Sequence, residues 1–546
     1  MATVPEAPTL FLRKATGLVK GWSKFDAFLY SFMSVNFVTL GLFFSLSVLG
    51  FVPDGQVLPA LLLSGVFLSF LVVTYAGLIS VMPRAGGDYV WQSRVLGGGI
   101  GFVLAVTGWW FILWYWAPVY ANILTVEVLQ PLASVLKLDG LSDFLANENG
   151  LFLVIQLTVV LAGVLVALGM ETYAKIQKVC FYIGMAALAV MLLIMLFGSR
   201  SGFQAAFNEE SRNLFGASGD TYGESIRMAQ ESLGLEKVVP DLGFSPFFGS
   251  TLLLIPFLAF WILYPNWGAT LYGEVRGASE FRRVTIGMMQ GLWITIAIAV
   301  VFILLAAKFF GWQFFNAVNL NYWNTVYGVG EAAIPIWPFP PLLASFYLHS
   351  PILSTIMVLA FGAWFLGWAG TLFLSSTRVI FAAAFDRILP ERMADVSEHR
   401  HVPVWALILM LVPSLVVGAL YAYTDNFATY ILDAVLVIAV TFFGTAIAAT
   451  ILPFRKRRLY ENSPIARYKV AGIPLISITG FVTAVFLGYN LWKWFQDDLY
   501  AVNNRDSLVF MGIMYALAIL IYVVARIYRR RQGIDLRAVH EEIPVE

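Results

Sequence analysis

Long stretches without a charged side chain recur along the whole chain, and they constrain its fold more than any other feature. A helix needs about 20 predominantly apolar residues to cross a membrane, whereas the strands of a membrane β-barrel have about ten residues of alternating polarity. The stretches here are long and continuous, so we predict an all-α polytopic membrane protein with 12 transmembrane helices. The stretches that support this prediction are residues 27–53, 55–83, 95–126, 149–170, 179–199, 242–273, 284–307, 332–377, 402–424, 434–454, 470–492 and 507–525.

The composition excludes several classes of protein. Charged residues make up only 12% of the 546 residues, against about a quarter in an ordinary soluble domain. The single cysteine, Cys180, and four scattered histidines indicate neither a disulfide framework nor a metal site. The net charge of +1 gives no general attraction to nucleic acid, and no phosphate-binding loop or catalytic motif stands out. We expect no enzyme activity, no cofactor, no metal and no nucleic-acid partner.

The distribution of basic residues predicts the orientation in the membrane. Most of the 34 Lys and Arg residues fall in alternate loops, including the runs 455–458 and 529–531, and such loops stay in the cytoplasm. Both termini are therefore predicted to be cytoplasmic, in the cell membrane, with no cleaved signal peptide. The predicted divisions are a cytoplasmic N-terminal segment (1–25), a first five-helix repeat (26–199), an extracellular loop (200–247), a second five-helix repeat (248–454), a cytoplasmic loop with helices 11 and 12 (455–528) and a cytoplasmic tail (529–546).

Two of the predicted spans contain residues that interrupt a helix. Span 6 holds Pro256 and then residues 264–268, YPNWG, and a proline inside a helix removes a hydrogen bond and clashes with the preceding turn. Span 1 holds polar and small residues at 31–41, although a continuous helix with polar side chains facing its neighbours is the alternative there. Spans 3 and 8, about 97–127 and 351–385, are both unusually long. These correspondences predict an inverted repeat of five plus five helices, followed by two C-terminal helices.

Several motifs are similar to those of one transporter family. Residues 82–91 read MPRAGGDYVW, which resembles the P-x-A/S-G-G-x-Y signature of the amino acid–polyamine–organocation (APC) superfamily. Residues 376–390 (STRVIFAAAFDRILP) are similar to the segment that leaves span 8, residues 273–276 (GEVR) to the element after span 6, and residues 452–455 with 468–474 to the segment before span 11. The chain resembles this superfamily over essentially its whole length. The resemblance implies a leucine-transporter-like fold, with a solute held between broken helices 1 and 6.

Two departures from the family pattern concern the solute. Residues 37–41 read FVTLG where family members carry a G-x-G-I-F motif, and Leu263 and Tyr264 replace the usual small residue of span 6. In the family, those glycines let backbone N–H groups approach the carboxylate of the solute. Because the residues here are bulkier, it is open whether the substrate is a free α-amino acid.

The candidate binding residues follow from what an α-amino acid presents, a carboxylate and an ammonium group. Helix N-termini donate to the carboxylate and unwound carbonyl groups accept from the ammonium group, so no fixed charge is required. Aromatic walls favour an apolar or aromatic side chain. For each residue, ordinary packing, interfacial anchoring or hydrogen bonding between helices is the alternative. The candidates are Ser34, Val35, Asn36, Phe37, Val38, Thr39, Trp110, Trp114, Phe260, Trp261, Ile262, Leu263, Tyr264, Asn266, Trp364 and Trp368.

Together these features predict a secondary active transporter, a permease for amino acids or related small organic solutes. It would work by alternating access, with spans 1, 2, 6 and 7 rocking against spans 3, 4, 8 and 9. The alternatives are an exchanger or facilitator of another organic amine or acid, and a sensor of the same fold that binds an amino acid without moving it. A channel would need a polar ring along a continuous pore, for which these spans have too few polar residues. The solute and the lipid bilayer are the expected partners, and the oligomeric state stays open.

The coupling ion also stays open. The positions that match the sodium-binding hydroxyl residues of sodium-coupled relatives are Gly367 and Trp368, so we expect no sodium site of that type. Span 5 has no lysine of the kind that some proton-coupled relatives carry. An acid inside the membrane could carry a proton. The candidates are Glu127 and Asp433, which could equally be boundary residues that face water.

Three charged residues near the inner end of the predicted bundle are candidates for a gate. Arg84, Asp88 and Arg94 follow span 2, where they could contact the loop after span 8. Simple anchoring at the membrane surface is the alternative.

Overall fold

The computed structural model describes residues 18, 22–35, 41–244, 250–424 and 430–541. Nearly all of this part of the chain is helical, with one short antiparallel hairpin formed by β1 (Lys469–Val470) and β2 (Ile473–Pro474). Four candidate binding residues lie outside the described residues: Asn36, Phe37, Val38 and Thr39.

Eleven helical stretches in the described ranges are long and apolar enough to cross a membrane. The remaining predicted span is the first in the chain, 27–53. Two short helices lie on either side of residues 36–40, so this crossing stays a prediction. In chain order the helices up to residue 197 are α1 (Lys24–Ser34), α2 (Leu42–Ser47), α3 (Val57–Val81), α4 (Asp88–Val95), α5 (Gly98–Val106), α6 (Ile112–Leu124), α7 (Gln130–Val135), α8 (Asp139–Ala146), α9 (Glu148–Ala167) and α10 (Met170–Phe197).

The second part of the chain begins with two helices in the predicted extracellular loop and continues with further spans. These helices are α11 (Arg200–Phe215), α12 (Thr221–Leu233), α13 (Ser250–Ile262), α14 (Phe281–Ala306), α15 (Trp312–Val326), α16 (Pro340–Phe346), α17 (Pro351–Ala369), α18 (Thr371–Phe385), α19 (Val404–Tyr423), α20 (Ile431–Arg455), α21 (Arg457–Glu461), α22 (Leu475–Gln496), α23 (Arg505–Arg531) and α24 (Leu536–Glu541).

The predicted long spans are long in the structure as well. Helices α5, α6 and α7 join into one stretch, Gly98–Val135, through π-helical turns at Thr107–Phe111 and Thr125–Leu129. At about 1.5 Å per residue this stretch measures about 57 Å, well beyond a hydrocarbon layer of about 30 Å. Helices α17 and α18 likewise form the stretch Pro351–Phe385. Each stretch must tilt or project from the membrane.

The helix of span 6 is interrupted as predicted. Helix α13 ends at Ile262, residues 263–266 form a turn, and a 3₁₀ helix follows at Trp267–Glu274. Tyr264 precedes Pro265, and the residue before a proline avoids the α conformation because it would clash with the proline ring. The local sequence therefore accounts for the break.

The helices pack in two groups. In the first group α3 contacts both α13 and α14, and α1 contacts α14. In the second group α6, α9 and α19 contact one another, and α17 contacts α10. The 3₁₀ segment Trp267–Glu274 touches α1 on one side and α18 on the other, so the interrupted helix lies where the two groups meet.

Apolar side chains cover the outer surface of the bundle. Leu157, Ile352, Phe197 and Ile513 are all more than half exposed, and contiguous apolar patches of this kind are rare on soluble monomers. Lipid is the solvent that makes such a surface favourable. The chain is an integral membrane protein.

Candidate binding site

A small cavity lies at the interruption of span 6, between the two groups of helices. It is narrow, with a volume of about 10 Å³, which is room for about one water molecule and well below the roughly 300–1,000 Å³ of typical ligand pockets. Its walls come from the end of α1, the start of α2, α6, the end of α13, the turn after α13 and α17. The lining residues are Ser34, Val35, Gly41, Trp116, Phe260, Trp261, Tyr264, Trp267 and Trp368.

Two helices end beside this cavity. The last four carbonyl groups of an α-helix have no partner within the helix, and α13 ends at Ile262, two residues before the lining residue Tyr264. Helix α1 ends at Ser34, whose hydroxyl donates to the carbonyl oxygen of Tyr30 at 2.6 Å. The carbonyl ends of both helices therefore adjoin the cavity, where the negative ends of their dipoles favour a cationic group.

Several polar side-chain atoms of the cavity wall have no hydrogen-bond partner among the described residues. They are the indole N–H groups of Trp261, Trp267 and Trp368 and the hydroxyl of Tyr264, and each is buried. Buried polar groups in native proteins are nearly always hydrogen-bonded. Four donors without a partner around one cavity are suited to a ligand that carries acceptor oxygens.

The cavity wall is held in place by aromatic packing. Trp267 packs on Trp109, with ring centroids 4.6 Å apart, and meets Tyr264 edge-on at 5.3 Å. Trp368 packs on Tyr120 at 4.3 Å. Such aromatic pairs contribute about 0.5–1.5 kcal/mol beyond the area they bury, so the indoles have little freedom to turn away.

Six of the candidate binding residues line the cavity, and the other described candidates do not. The six are Ser34, Val35, Phe260, Trp261, Tyr264 and Trp368. Ile262 and Leu263 are buried in the helical core. Asn266 is buried in the turn after α13.

The remaining tryptophan candidates face neighbouring helices. The indole N–H of Trp114 donates to the carbonyl oxygen of Leu409 in α19 at 3.2 Å. Trp110 packs on Trp114, with ring centroids 5.8 Å apart. Trp364 packs between α1 and α10, with Phe32 at 6.3 Å and Phe181 at 6.0 Å. Helix packing accounts for these contacts.

Three lining residues were not among the candidates from the sequence. Trp267 belongs to the YPNWG run that predicts the interruption, so proximity to the break was the available signal. Trp116 lies on the same long helix as Trp110 and Trp114 but on another face. Gly41 ends the FVTLG run in span 1.

Charged side chains are concentrated at what we call the inner end, residues 82–95, 274–283 and 378–390, named for its predicted cytoplasmic location. The guanidinium of Arg94 donates to both carboxylate oxygens of Asp386, at 2.5 and 2.8 Å. Arg378 donates in the same way to Glu274, at 2.8 and 3.0 Å. All four side chains are buried. These two ion pairs connect α18 and its C-terminal end to α4 and to the segment after the interrupted helix.

The environment of Asp386 keeps it ionised. Burial raises the pKa of this carboxyl, but the charge and hydrogen bonds of Arg94 outweigh burial, and the pKa lies below its ordinary value. Tyr89 also donates to Asp386 at 2.8 Å, and the same hydroxyl lies 3.3 Å from Nε2 of His540 in α24. The C-terminal helix α24 therefore contacts the Arg94–Asp386 pair.

Of the three gate candidates, Arg94 makes the contact with the segment after span 8. Arg84 is partly exposed and donates to the adjacent carbonyl oxygen of Pro83 at 3.3 Å. Asp88 is fully buried and accepts hydrogen bonds from Tyr75 and Thr445.

The two acids considered as proton carriers are both buried, so the alternative that they face water is wrong. Asp433 is 1% exposed and accepts a hydrogen bond from Ser507 of α23 at 2.8 Å. Glu127 is 0% exposed, and its carboxylate has no hydrogen-bond partner in the described ranges. Neither lines the cavity.

Comparison with known proteins gives two matches. The family model described as "Amino acid permease" matches residues 29–535, a range that includes every residue of the cavity wall. The chain is also similar to the branched-chain amino acid permease BcaP of Lactococcus lactis subsp. cremoris (strain MG1363). The two are 22% identical over 474 residues, which cover 84% of this chain and 85% of that relative.

Proposed function

Since the chain belongs to the amino acid permease family, and is therefore a membrane transporter and not an enzyme, we propose that it carries amino acids with neutral apolar or aromatic side chains. The observation that supports this proposal is the small cavity at the interruption of span 6, with its aromatic wall and its free hydrogen-bond donors. The proposed location is the cell membrane, with both termini in the cytoplasm.

The chemistry of the wall favours a solute that is zwitterionic at one end and apolar at the other. The N–H groups of Trp261, Trp267 and Trp368 can donate to a carboxylate, and the carbonyl ends of α1 and α13 can accept from an ammonium group. The lining residues include no Asp, Glu, Lys or Arg. A charged solute side chain would therefore enter a dehydrated site without a counter-charge, which is strongly unfavourable.

Leucine, isoleucine and valine are the first solutes to test. The similar permease from Lactococcus lactis is named for branched-chain amino acids, and the lining residues of the cavity are mostly apolar or aromatic. Phenylalanine comes next, because aromatic walls also reward contact with an aromatic ring.

Alternating access is proposed from the grouping of the helices. The group of α1, α3, α13 and α14 would rock against the group of α6, α9, α17 and α19, in the predicted arrangement of five plus five helices. The cavity lies between these groups, and the ion pairs Arg94–Asp386 and Glu274–Arg378 lie at the inner end of the bundle. Opening toward the cytoplasm would separate these pairs.

The first experiment is a thermal-shift screen of the purified protein in detergent. Leucine, isoleucine, valine and phenylalanine are compared with lysine, glutamate and the corresponding D-isomers. A ligand present at 100 times its Kd stabilises the folded protein by about 2.7 kcal/mol, so the apolar L-amino acids should raise the melting temperature. Stabilisation by lysine or glutamate alone would contradict the proposed specificity.

Transport itself is measured in liposomes loaded with one of the stabilising amino acids. Saturable, stereoselective uptake of labelled leucine is expected of the wild type. Tyr264→Ala should weaken leucine binding, because the substitution removes both a wall and a donor of the cavity. Tyr182→Ala is the matched control, since Tyr182 lies on the outer surface of α10. Binding of leucine without any uptake would favour a sensor over a transporter.

A further inference from the structure

Asp88 is a buried carboxylate that accepts hydrogen bonds from neutral groups in the described part of the chain. It stands at the first position of α4 and is 0% exposed. The hydroxyl of Tyr75 in α3 and the hydroxyl of Thr445 in α20 both donate to Oδ1, each at 2.5 Å. The indole N–H of Trp109 donates to Oδ2 at 3.0 Å. Three different helical segments therefore converge on one carboxylate.

No cation compensates this carboxylate in the part of the chain that the structure describes. The other charged groups on elements that pack against α4 are engaged elsewhere: Arg94 with Asp386, Arg378 with Glu274, and His540 with Tyr89. The titratable group that faces Asp88 is the phenol of Tyr75, which donates to it. Burial raises the pKa of Asp88 to about 6, although its three donors oppose the shift.

Asp88 is connected to the cavity through two aromatic side chains. Trp109, which donates to Asp88, packs on Trp267 with ring centroids 4.6 Å apart. Trp267 lines the cavity at the start of the 3₁₀ segment that follows the break. A change in the position of Trp109 would therefore act on the cavity wall directly.

The backbone next to Asp88 is also joined to the interrupted span. The N–H of Gly86 donates to the carbonyl oxygen of Thr270 at 2.9 Å. Gly87 has a φ of +41°, and a Cβ there would lie 3.0 Å from the backbone atoms of Ala269 and Thr270. Only a glycine permits this close approach. The start of α4 and the segment after the break are thus bound to each other.

We propose that Asp88 is the proton-binding site that couples proton movement to solute transport, an inference that rests on the proposed function. The carboxylate takes up one proton while the site is open to the outer side and releases it when the inner end opens. No covalent bond other than the O–H bond forms or breaks. In its ionised form the carboxylate holds Tyr75, Thr445 and Trp109 as acceptor; in its protonated form the charge is lost and one oxygen becomes a donor.

The first test compares gradient-driven uptake with exchange in liposomes. With an inside-alkaline gradient of about one pH unit, coupling to one proton supports about tenfold accumulation of leucine. Asp88→Asn should reduce accumulation to the equilibrium level and leave leucine–leucine exchange in the absence of a gradient within about threefold of the wild type. Asp88→Glu, which keeps a carboxyl, should retain accumulation.

Glu127→Gln is the matched control, because Glu127 is also a fully buried carboxylate but lies at the second π-helical turn of the long span, whereas Asp88 contacts Trp109 at the first. This variant should accumulate leucine as the wild type does. Continued accumulation by Asp88→Asn, or its loss in Glu127→Gln alone, would overturn the proposal.

The second test needs no solute and so separates this proposal from the proposed function. Infrared difference spectra of the purified protein between pH 4 and 9 should show a carboxyl C=O band that titrates and that is absent from Asp88→Asn. Thr445→Val removes one donor to the carboxylate and should move this titration up by about one pH unit. If the band titrates but no amino acid is transported, the proposed function fails. If leucine is transported and the band is unchanged in Asp88→Asn, the proton-binding role fails.

Discussion

The cavity and the inner end of the bundle satisfy their polar groups in opposite ways. Around the cavity, neutral donors such as those of Trp261 and Tyr264 are buried without a partner among the residues that the structure describes. At the inner end, Arg94 and Arg378 each meet a carboxylate through two hydrogen bonds. Both regions are sealed from solvent, so burial alone does not distinguish them.

The difference shows which buried polar groups find their partners within the protein. A buried charge is tolerated only when it is paired and hydrogen-bonded, and Arg94 and Arg378 meet this requirement with carboxylates of the same chain. Donors around the cavity can be satisfied by a solute instead. The contrast assigns stability to the inner end and recognition to the cavity, and each of the following predictions tests that division.

The largest expected effect is on stability, from separating one buried charge from its partner. Glu274→Gln leaves the guanidinium of Arg378, which is 0% exposed, without its carboxylate. Removing one partner of a buried pair costs about 3–5 kcal/mol, so the melting temperature of the purified protein should fall sharply.

Glu461→Gln provides the comparison for this prediction. Glu461 pairs with Arg457 at 2.7 Å, and both side chains are more than half exposed. Exposed pairs contribute about 0–1 kcal/mol, so this variant should melt close to the wild type. Equal losses in the two variants would show that the inner pair has no special role.

The next largest effect is expected on binding, from Trp368→Ala. The substitution removes a wall of the cavity and one of its free N–H donors. Aromatic residues at the centre of a binding site commonly contribute 2 kcal/mol or more, so the Kd for leucine should rise at least about 30-fold. Trp405→Ala, on the exposed side of α19, should leave the Kd unchanged; isothermal titration calorimetry compares the two.

A smaller effect is expected from removing single tyrosine hydroxyls, which should change either solute binding or stability, depending on where the tyrosine lies. Tyr264→Phe removes a hydroxyl with no partner in the described protein. It should weaken leucine binding by about 1 kcal/mol, the usual value of one hydrogen bond, and should not lower the melting temperature.

Tyr222→Phe should behave in the opposite way. Its hydroxyl donates to the carbonyl oxygen of Phe310 at 2.8 Å, so its loss should destabilise the protein by about 1 kcal/mol without changing the Kd. If Tyr264→Phe proves to be the less stable variant, the division between recognition and stability is wrong for this residue.

The sequence predicts those features that depend on local rules. The thickness of the membrane sets the length of an apolar run, so most spans lie where the charge-free stretches are. The break of span 6 is equally local, because Pro265 restricts Tyr264. Resemblance to the APC superfamily also rests on short motifs, and the match of the family model to residues 29–535 confirms it.

The identity of the wall residues depends on which face of a helix points inward, and the sequence does not specify that. Trp110 and Trp114 are four residues apart, and Trp109 and Trp116 are seven apart, so each pair shares one face of the same helix. A helix that is apolar all round has no polar face to orient it. The structure turns Trp116 to the cavity and Trp109 to Trp267, a choice made by tertiary packing.

The smallest expected effect concerns pH, and it contrasts Asp386 with Asp88. Arg94 holds the pKa of Asp386 below its ordinary value despite burial. A carboxyl with a lowered pKa stabilises the folded state above the ordinary Asp pKa of about 3.9, and this contribution is lost only as the pH falls through the folded-state pKa. The difference in melting temperature between the wild type and Asp386→Asn should therefore be constant from pH 5 to 8.

Burial has the opposite consequence at Asp88, whose pKa it raises to about 6. A carboxyl with a raised pKa contributes stability to the folded state that is fully present below about pH 4. This stability is lost as the pH rises through the folded-state pKa of about 6. The melting temperature of Asp88→Asn relative to the wild type should therefore rise between pH 4 and 7, while that of Asp386→Asn stays level above pH 5. A slope in the Asp386→Asn series instead would mean that the Arg94–Asp386 pair itself titrates, and this pair, not Asp88, would then be the pH-sensitive group.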